Sequence, residues 1–230
     1  MTLILTNDDG IDAPGIRALQ RALDGNGIIV APKEHLSGCG HQVTTDRPIH
    51  VGRPTVPEKS DTEYAVGGTP ADCSRLAITH LCPDVEWVLS GINAGGNLGV
   101  DVYMSGTVAA VREAVILGIP GIAISHWIKK PLVIDWERAT KWTAMLLADL
   151  FSRTLAPGSF WNVNLPHLEP GAAEPDIVLC EPSTHPLPVQ YRIEEDQYYY
   201  IGEYGKRDRA AGTDVDVCFS GNIAVTKLSL

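Results

Sequence analysis

Short apolar runs that stop in polar clusters recur along the first two-thirds of the chain, alternating with stretches whose apolar residues keep helical spacing. The first run, residues 3–6, predicts a buried strand that ends in Asn7-Asp8-Asp9-Gly10. Residues 12–23 carry Pro14 near the first turn and apolar Ile16, Leu19 and Leu23, which predicts a helix with one buried stripe. A second strand is expected at 28–31, stopped by Pro32 and followed by the loop 37–40. Short β pieces are expected at 42–45, 49–51 and 63–66, with a Pro- and Ser-rich loop between the last two. Thr69, Pro70 and Asp72 fit a capping box, so a helix should run to about Leu81. A strand over 87–93 opens into 94–99, and Ser105-Gly106-Thr107 starts a helix with Val108, Val111 and Val115 on one face.

Residues 121–125 predict another strand. Helical spacing of Trp136, Ala139, Thr143, Leu146, Leu147 and Leu150 predicts a helix over about 135–153. A strand at 160–164 is followed by short β segments through 228, read as hairpins leaving the core, with 191–204 as a projecting arm. The alternation implies an α/β fold with a doubly wound, mostly parallel sheet and C-terminal β-hairpin extensions. One domain is expected over 1–230, with an α/β core to about 165 and an arm with returning strands over about 166–230.

Composition narrows the function classes. At 230 residues and 44% apolar content the chain can bury a full core. Its 18 Lys and Arg against 28 Asp and Glu give a net charge of -10, which argues against a nucleic acid polymer as partner. A small phosphate ester is still allowed, because a bound metal reverses the local field. Five cysteines (Cys39, Cys73, Cys82, Cys180 and Cys218) form no Cys-x-x-Cys pair, and no signal peptide is visible; they read as reduced thiols of a cytoplasmic protein. The longest apolar stretch, 115–124, is broken by Gly118, Pro120 and Gly121, so no membrane span is expected.

Asp8 and Asp9 carry the candidate chemistry. Adjacent carboxylates at a strand end repel each other unless a cation sits between them. Asn-Asp-Asp-Gly is also a turn signal, but a hairpin turn needs a second strand and a helix follows here. Loops 7–10, 37–40 and 90–99 leave three strand ends that share one edge of a parallel sheet. Their oxygens (Asp8, Asp9, the Ser37 hydroxyl, the Asn93 amide) suit Mg²⁺ or Mn²⁺ rather than structural zinc. For the substrate's phosphate, the candidates are Asn7, Gly95, Gly96, Asn97, Ser105, Gly106 and Thr107. Glycine lets backbone N–H groups approach an anion, and a helix start presents unpaired donors. The plain alternative is that these glycines serve turns and that Ser105 or Thr107 is only a helix cap.

Taken in order, Asn7-Asp-Asp-Gly10 with Ala13-Pro-Gly15, Ala31-Pro32 before Ser37-Gly38, Gly68-Thr-Pro70-x-Asp72-Cys73, Ser90-Gly-Ile-Asn-Ala-Gly95-x-Asn97-Leu-Gly99 and Ser105-Gly-Thr-Val-Ala-Ala110 resemble the SurE family of metal-dependent nucleotidases. Asn162-Val-Asn-Leu-Pro166 and Gly212-Thr-Asp214-x-Asp216 extend the match over nearly the whole chain. The resemblance implies a Rossmann-like core, a protruding β arm and one divalent ion per subunit. By that likeness the ion is held by Asp8, Asp9, Ser37 and Asn93. It also implies hydrolysis of nucleoside 5'-monophosphates, with 3'-monophosphates and short polyphosphate as further substrates. Assembly as a homo-oligomer is implied too; members often continue into a C-terminal helical segment where this sequence ends at Leu230, so dimer and tetramer both stand.

The expected reaction is in-line attack of a metal-activated water, oriented by Asp8 or Asp9, with the base between them left open. A phosphoaspartyl route needs an acid two positions after Asp8, where Gly10 stands. A non-catalytic nucleotide-binding module is the rival class, although 91–99 lacks the Gly-x-Gly-x-x-Gly spacing. His35, His41 and His126 are left outside the metal site, and Cys39 is read as a small loop residue. Tyr198, Tyr199 and Tyr200 suit stacking on a base or a subunit contact.

Overall fold

A computed structural model describes residues 1–53 and 62–230. Its centre is a nine-stranded sheet with helices on both faces. The chain lays down β1 (Leu3–Thr6), α1 (Pro14–Ala22), β2 (Ile28–Pro32), β3 (Val51–Gly52), β4 (Glu63–Val66) and α2 (Pro70–Leu76). It continues through β5 (Trp87–Ala94), α3 (Gly106–Ile116), β6 (Gly121–His126), α4 (Trp136–Leu150) and β7 (Ser159–Leu165). The remainder is β8 (Ile177–Leu179), β9 (Tyr191–Glu194), β10 (Gln197–Tyr200), α5 (Asp214–Phe219) and β11 (Ile223–Ser229).

Strand order is β3-β4-β2-β1-β5-β6-β7-β11-β8. Strands β4, β2, β1, β5, β6 and β7 are parallel, so the chain winds one way from β1 and the other way from β5. The crevice between β1 and β5 is therefore the topological switch point, where such sheets bind ligands.

Side-chain alternation along β1 builds both layers. Leu5 packs with Ile16 and Leu19 of α1 and Trp142, Leu146 and Leu147 of α4. Ile4 packs with Val30, Cys73 and Ala114 on the opposite face, beside α2 and α3. Helix α1 lies so close to β5 that a Cβ on Gly15 would sit 1.9 Å from the Ile92 carbonyl oxygen, so only glycine fits. The expected capping box is present: Thr69 Oγ1 accepts from Asp72 N at 3.1 Å, and Asp72 Oδ2 accepts from Thr69 N at 2.9 Å. Beyond α2 the expected helix does run on to Leu81, but as a wider π-turn over Ala77–Leu81.

Three expectations need correction. Residues 42–45 form no strand, because their polar groups bond to the start of α2: Thr44 N and Oγ1 donate to Asp72, and Thr69 Oγ1 donates to Gln42 O. The piece expected at 49–51 shifts to Val51–Gly52, paired antiparallel with β4; the Pro- and Ser-rich loop falls on 54–61, outside the described residues. The C-terminal part divides between the main sheet and a separate hairpin, and one of its expected β segments is a helix. Strands β11 and β8 join the main sheet beyond β7, and among the described residues only β9 and β10 pair apart from it. Residues 214–219 form α5, although Val215 and Val217 alternate like a strand; acidic Asp214 and Asp216 in its first turn suit a helix N-terminus.

Candidate active site

Asp8 and Asp9 follow directly on β1 at the switch point, and the loop shape is set by Asn7. That side chain is fully buried, donates from Nδ2 to Gly10 O at 2.8 Å and accepts from Gly10 N at 3.2 Å. Asn7, expected at the substrate's phosphate, thus holds the acidic turn in shape. Gly10 supplies the positive φ of 101° that lets the chain turn into α1.

The two carboxylates have different surroundings. Asp8 is 4% exposed, and Thr107 Oγ1 at the start of α3 donates to its Oδ1 at 2.5 Å. Burial and the charge of Asp9 push its carboxyl up to about 6, against the pull of the Thr107 bond. Asp9 is half-buried; its Oδ2 accepts from Ala94 N at 3.0 Å, and His35 Nδ1 lies 3.3 Å from its Oδ1. A Cβ on Gly106 would lie 2.8 Å from Asp8 Cβ and 3.0 Å from both Asp8 Oδ2 and Cys39 Sγ. Gly106 is therefore the residue that lets α3 reach Asp8, a packing role beyond the expected anion contact.

Asn93 lies in β5, within the strand expected over 87–93, and regular strand runs one residue further to Ala94, so the loop that follows is shorter than 90–99. Asn93 Nδ2 donates to Gly95 O at 2.8 Å, which commits its amide end and turns Oδ1 to other partners. Ser37 sits exposed on a loop pinned at both sides of it. Leu36 N donates to Asp8 O at 2.8 Å, Gly40 N to Met104 O at 3.1 Å, and His41 Nε2 lies 2.7 Å from Glu113 Oε2 on α3. Loops from β1, β2 and β5 thus meet at one sheet edge, as the strand order requires.

Asn97 is held from three sides. Its N–H donates to Asn164 Oδ1 at 2.8 Å, its Nδ2 donates to Ser125 Oγ at 2.7 Å, and Asn162 and Asn164 donate to its carbonyl. Sequence reasoning did not assign Asn162 and Asn164 a place here, although their i, i+2 spacing on β7 puts both on one face. Ser105 caps α3, its Oγ accepting from Val108 N at 3.1 Å. By helix geometry the N–H groups of Gly106 and Thr107 are first-turn donors with no intrahelical acceptor, and they lie beside Asp8. Thr107's hydroxyl is taken by Asp8, so only its backbone can face an anion.

The donor set fits a hard divalent ion. Among the described residues no three His, Cys, Asp or Glu side chains gather as a metal cluster. An ion would rest on the Asp8–Asp9 pair, on neutral Ser37 and Asn93 oxygens and on water, the usual arrangement for Mg²⁺ or Mn²⁺. A buried carboxylate next to a second one, with no Lys or Arg among the described residues bonded to either, is the feature a cation would satisfy.

A family model described as survival protein SurE matches residues 3–185. A provisionally named 5'-nucleotidase of Nostoc sp. is 64% identical over 229 residues, covering 99% of both chains. The 5'-nucleotidase SurE of Paramagnetospirillum magneticum is 36% identical over 240 residues, covering 99% of this chain and 89% of its own. The crystal structure of SurE from Aquifex aeolicus superposes with a TM-score of 0.85 at 33% identity, covering 100% of this chain and 93% of that one. On sequence and fold together, the chain belongs to the SurE family.

Proposed function

We propose that the protein is a divalent-metal-dependent phosphatase acting on nucleoside 5'-monophosphates. The observation that carries this reading is the Asp8–Asp9 pair at the switch point, with the N-terminus of α3 facing it through Thr107. Relatives named as 5'-nucleotidases support the substrate class. Asp8, Asp9, Ser37 and Asn93 are the residues assigned to hold the ion. When bound there, a divalent ion supplies Lewis-acid polarisation of the phosphoryl group and makes water more acidic.

The chain's own groups do the rest. Thr107 fixes Asp8 through one oxygen. Asp9, anchored by Ala94 N, keeps Oδ1 on the more open side beside His35 and is assigned to orient the attacking water and take its proton. Backbone N–H groups at Gly106 and Thr107 are assigned to the phosphoryl oxygens; a donor aimed at charge that grows in the transition state contributes about 3 kcal/mol. The same chemistry would accept 3'-monophosphates and short polyphosphate. The five cysteines are all free, which supports a reducing, cytoplasmic setting. The exposed rings of β9 and β10 are the face assigned to a second copy of the chain.

Phosphate release from a nucleoside monophosphate with added Mn²⁺ tests the assignment. Asp8→Asn and Asp9→Asn should each lose at least about 100-fold in rate, equivalent to ~2.7 kcal/mol of barrier. Near-normal turnover in both variants overturns it. Nucleotide binding without turnover, unchanged by a chelator, would make the protein a binding module instead.

A further inference from the structure

Two cavities flank the site along the sheet edge, and they differ in chemistry. One, of about 420 Å³, lies at the ends of β2 and β4 and is rimmed by Lys33, Glu34, Asp46 and Arg47. Among the described residues it contains no aromatic ring. The other, of about 740 Å³, lies past the ends of β5 and β6 and is walled by Trp127, Ile128 and Tyr204, with Gly95 and Gly96 beneath.

We propose that this second cavity receives the nucleoside part of the substrate, with its base against Trp127, Ile128 and Tyr204; the proposal rests on the phosphatase reading above. A nucleobase has apolar faces and a polar edge, and proteins hold it by stacking on flat apolar surfaces. A volume of about 740 Å³ is in the range of small-molecule sites. The wall is rigid. Trp127 stacks on Phe219 with centroids 4.1 Å apart, and Tyr204 is fixed by donating its hydroxyl to Asp101 and by the Arg207 guanidinium 5.0 Å from its ring.

The end of β5 joins this cavity to the candidate metal site. Asn93 donates to Gly95 O, and the neighbouring Ala94 N bonds Asp9. Gly96 keeps the floor of the cavity low: a Cβ there would sit 3.1 Å from Tyr204 Oη and 3.7 Å from Trp127 Cβ, so any side chain would crowd the two rings. An ester whose phosphate lies at Asp8, Asp9 and the start of α3 can then extend past Gly95 and Gly96 to the rings. Lys129, Lys130 and Glu203 line the cavity, and their net positive charge is there for the substrate's dianion to meet on entry. Because the wall offers faces rather than a fixed donor–acceptor pattern, it accepts purines and pyrimidines, with purines held better by their larger stacking area.

The test is a pair of variants and a pair of esters. Ile128→Asp puts a charge on the wall at a position already 36% exposed, so the fold should tolerate it. Its kcat/KM for adenosine 5'-monophosphate should fall at least tenfold through KM, while turnover of glycerol phosphate stays as in the wild type. Arg47→Glu, in the other cavity, should change neither. Equal loss on both esters, no loss with Ile128→Asp, or a selective loss with Arg47→Glu overturns the proposal. Adenosine, which carries no phosphate, separates this from a failure of the phosphatase reading. Its titration should change tryptophan fluorescence in the wild type and not in Trp127→Phe; a wild-type protein that gives no such change also overturns the subsite, whether or not esters are cleaved.

Discussion

Strands β6 and β7 are buried at every position, whereas β9 and β10 are exposed at every position. Both pairs are rich in β-branched or aromatic residues, so local preference does not separate them. What differs is layering. The first pair lies inside the main sheet, beneath helices, where each face meets a packed partner. The second has only its own partner strand; Tyr191, for instance, meets the rings of Tyr198 and Tyr200 and stays 53% exposed. The site draws its side chains from the rigid region, at the ends of β1 and β5 and the start of α3. The hairpin region instead offers surface. The two are tied where Arg207 reaches back from the arm's base to Asp101 at 2.7 Å, with Arg207 Nη2 also donating to Leu98 O.

That tie is where the comparison breaks most sharply. Both charges are buried, and Asp101 Oδ2 also accepts from Leu98 N and Tyr204 Oη. Removing the cation in Arg207→Met leaves a buried carboxylate uncompensated, which should cost about 3–5 kcal/mol in urea unfolding. A loss under 1 kcal/mol would show that the arm's base and the core are independent.

A second break uses pH. His126 is 2% exposed at the end of β6, and burial lowers its pKa to about 4. The unfolded chain, with the ordinary value of 6.5, binds the proton first as pH falls. Its contribution is therefore full above about pH 7 and is lost between 6.5 and 4, amounting to about 3 kcal/mol. Asp8 runs the other way without metal: its raised value means the folded state binds the proton first, so stability is gained as pH drops from about 6 to 3.8. The measurement is thus the difference between wild type and His126→Gln across pH 7 to 4.5. It should shrink on acidification, and a flat difference refutes the assignment.

Gly106→Ala sharpens the view of the rigid side at somewhat smaller expected cost. The added methyl meets Asp8 Cβ at 2.8 Å and must push Asp8 or α3 aside. Activity should fall ten- to a hundredfold, about 1.4–2.7 kcal/mol of barrier, with the unfolding midpoint nearly kept. Wild-type activity would mean that Asp8's position is not critical.

The sequence made the rigid side legible because one residue often serves a local rule and the site together. Pro14, the Thr69–Asp72 box and Ser105 mark helix starts, and the strand ends they follow carry Asp8, Asp9 and Asn93. Thr107 was placed near the site, but its hydroxyl bond to Asp8 spans 99 positions and leaves no local trace. Asn7 shows the opposite case, since its bonds to Gly10 are local and are those of an ordinary turn. The C-terminal side was harder. Val215 and Val217 have strand spacing, yet Asp214 accepts from Gly99 N and Ser183 N, and that distant anchoring goes with a short helix. The wall formed by Trp127 and Tyr204 joins positions 77 residues apart across the sheet edge, so no window of sequence could show it.

The smallest effect on folding is expected at the hairpin, and there the two regions should part most clearly. Tyr198 and Ile193 are directly paired across β9 and β10 and are 66% and 59% exposed, so within one chain their side chains bury little. Tyr198→Ser with Ile193→Ser should shift stability of the single chain by no more than about 0.5 kcal/mol each, as for other exposed positions. If a second copy covers this face, the same double variant should sediment as one chain where the wild type sediments as a larger species. Activity on glycerol phosphate should persist, since no side chain of β9 or β10 has been placed in the site. A loss of 2 kcal/mol or more in dilute protein would mean instead that the hairpin packs on the core, and the contrast between the two regions would fail.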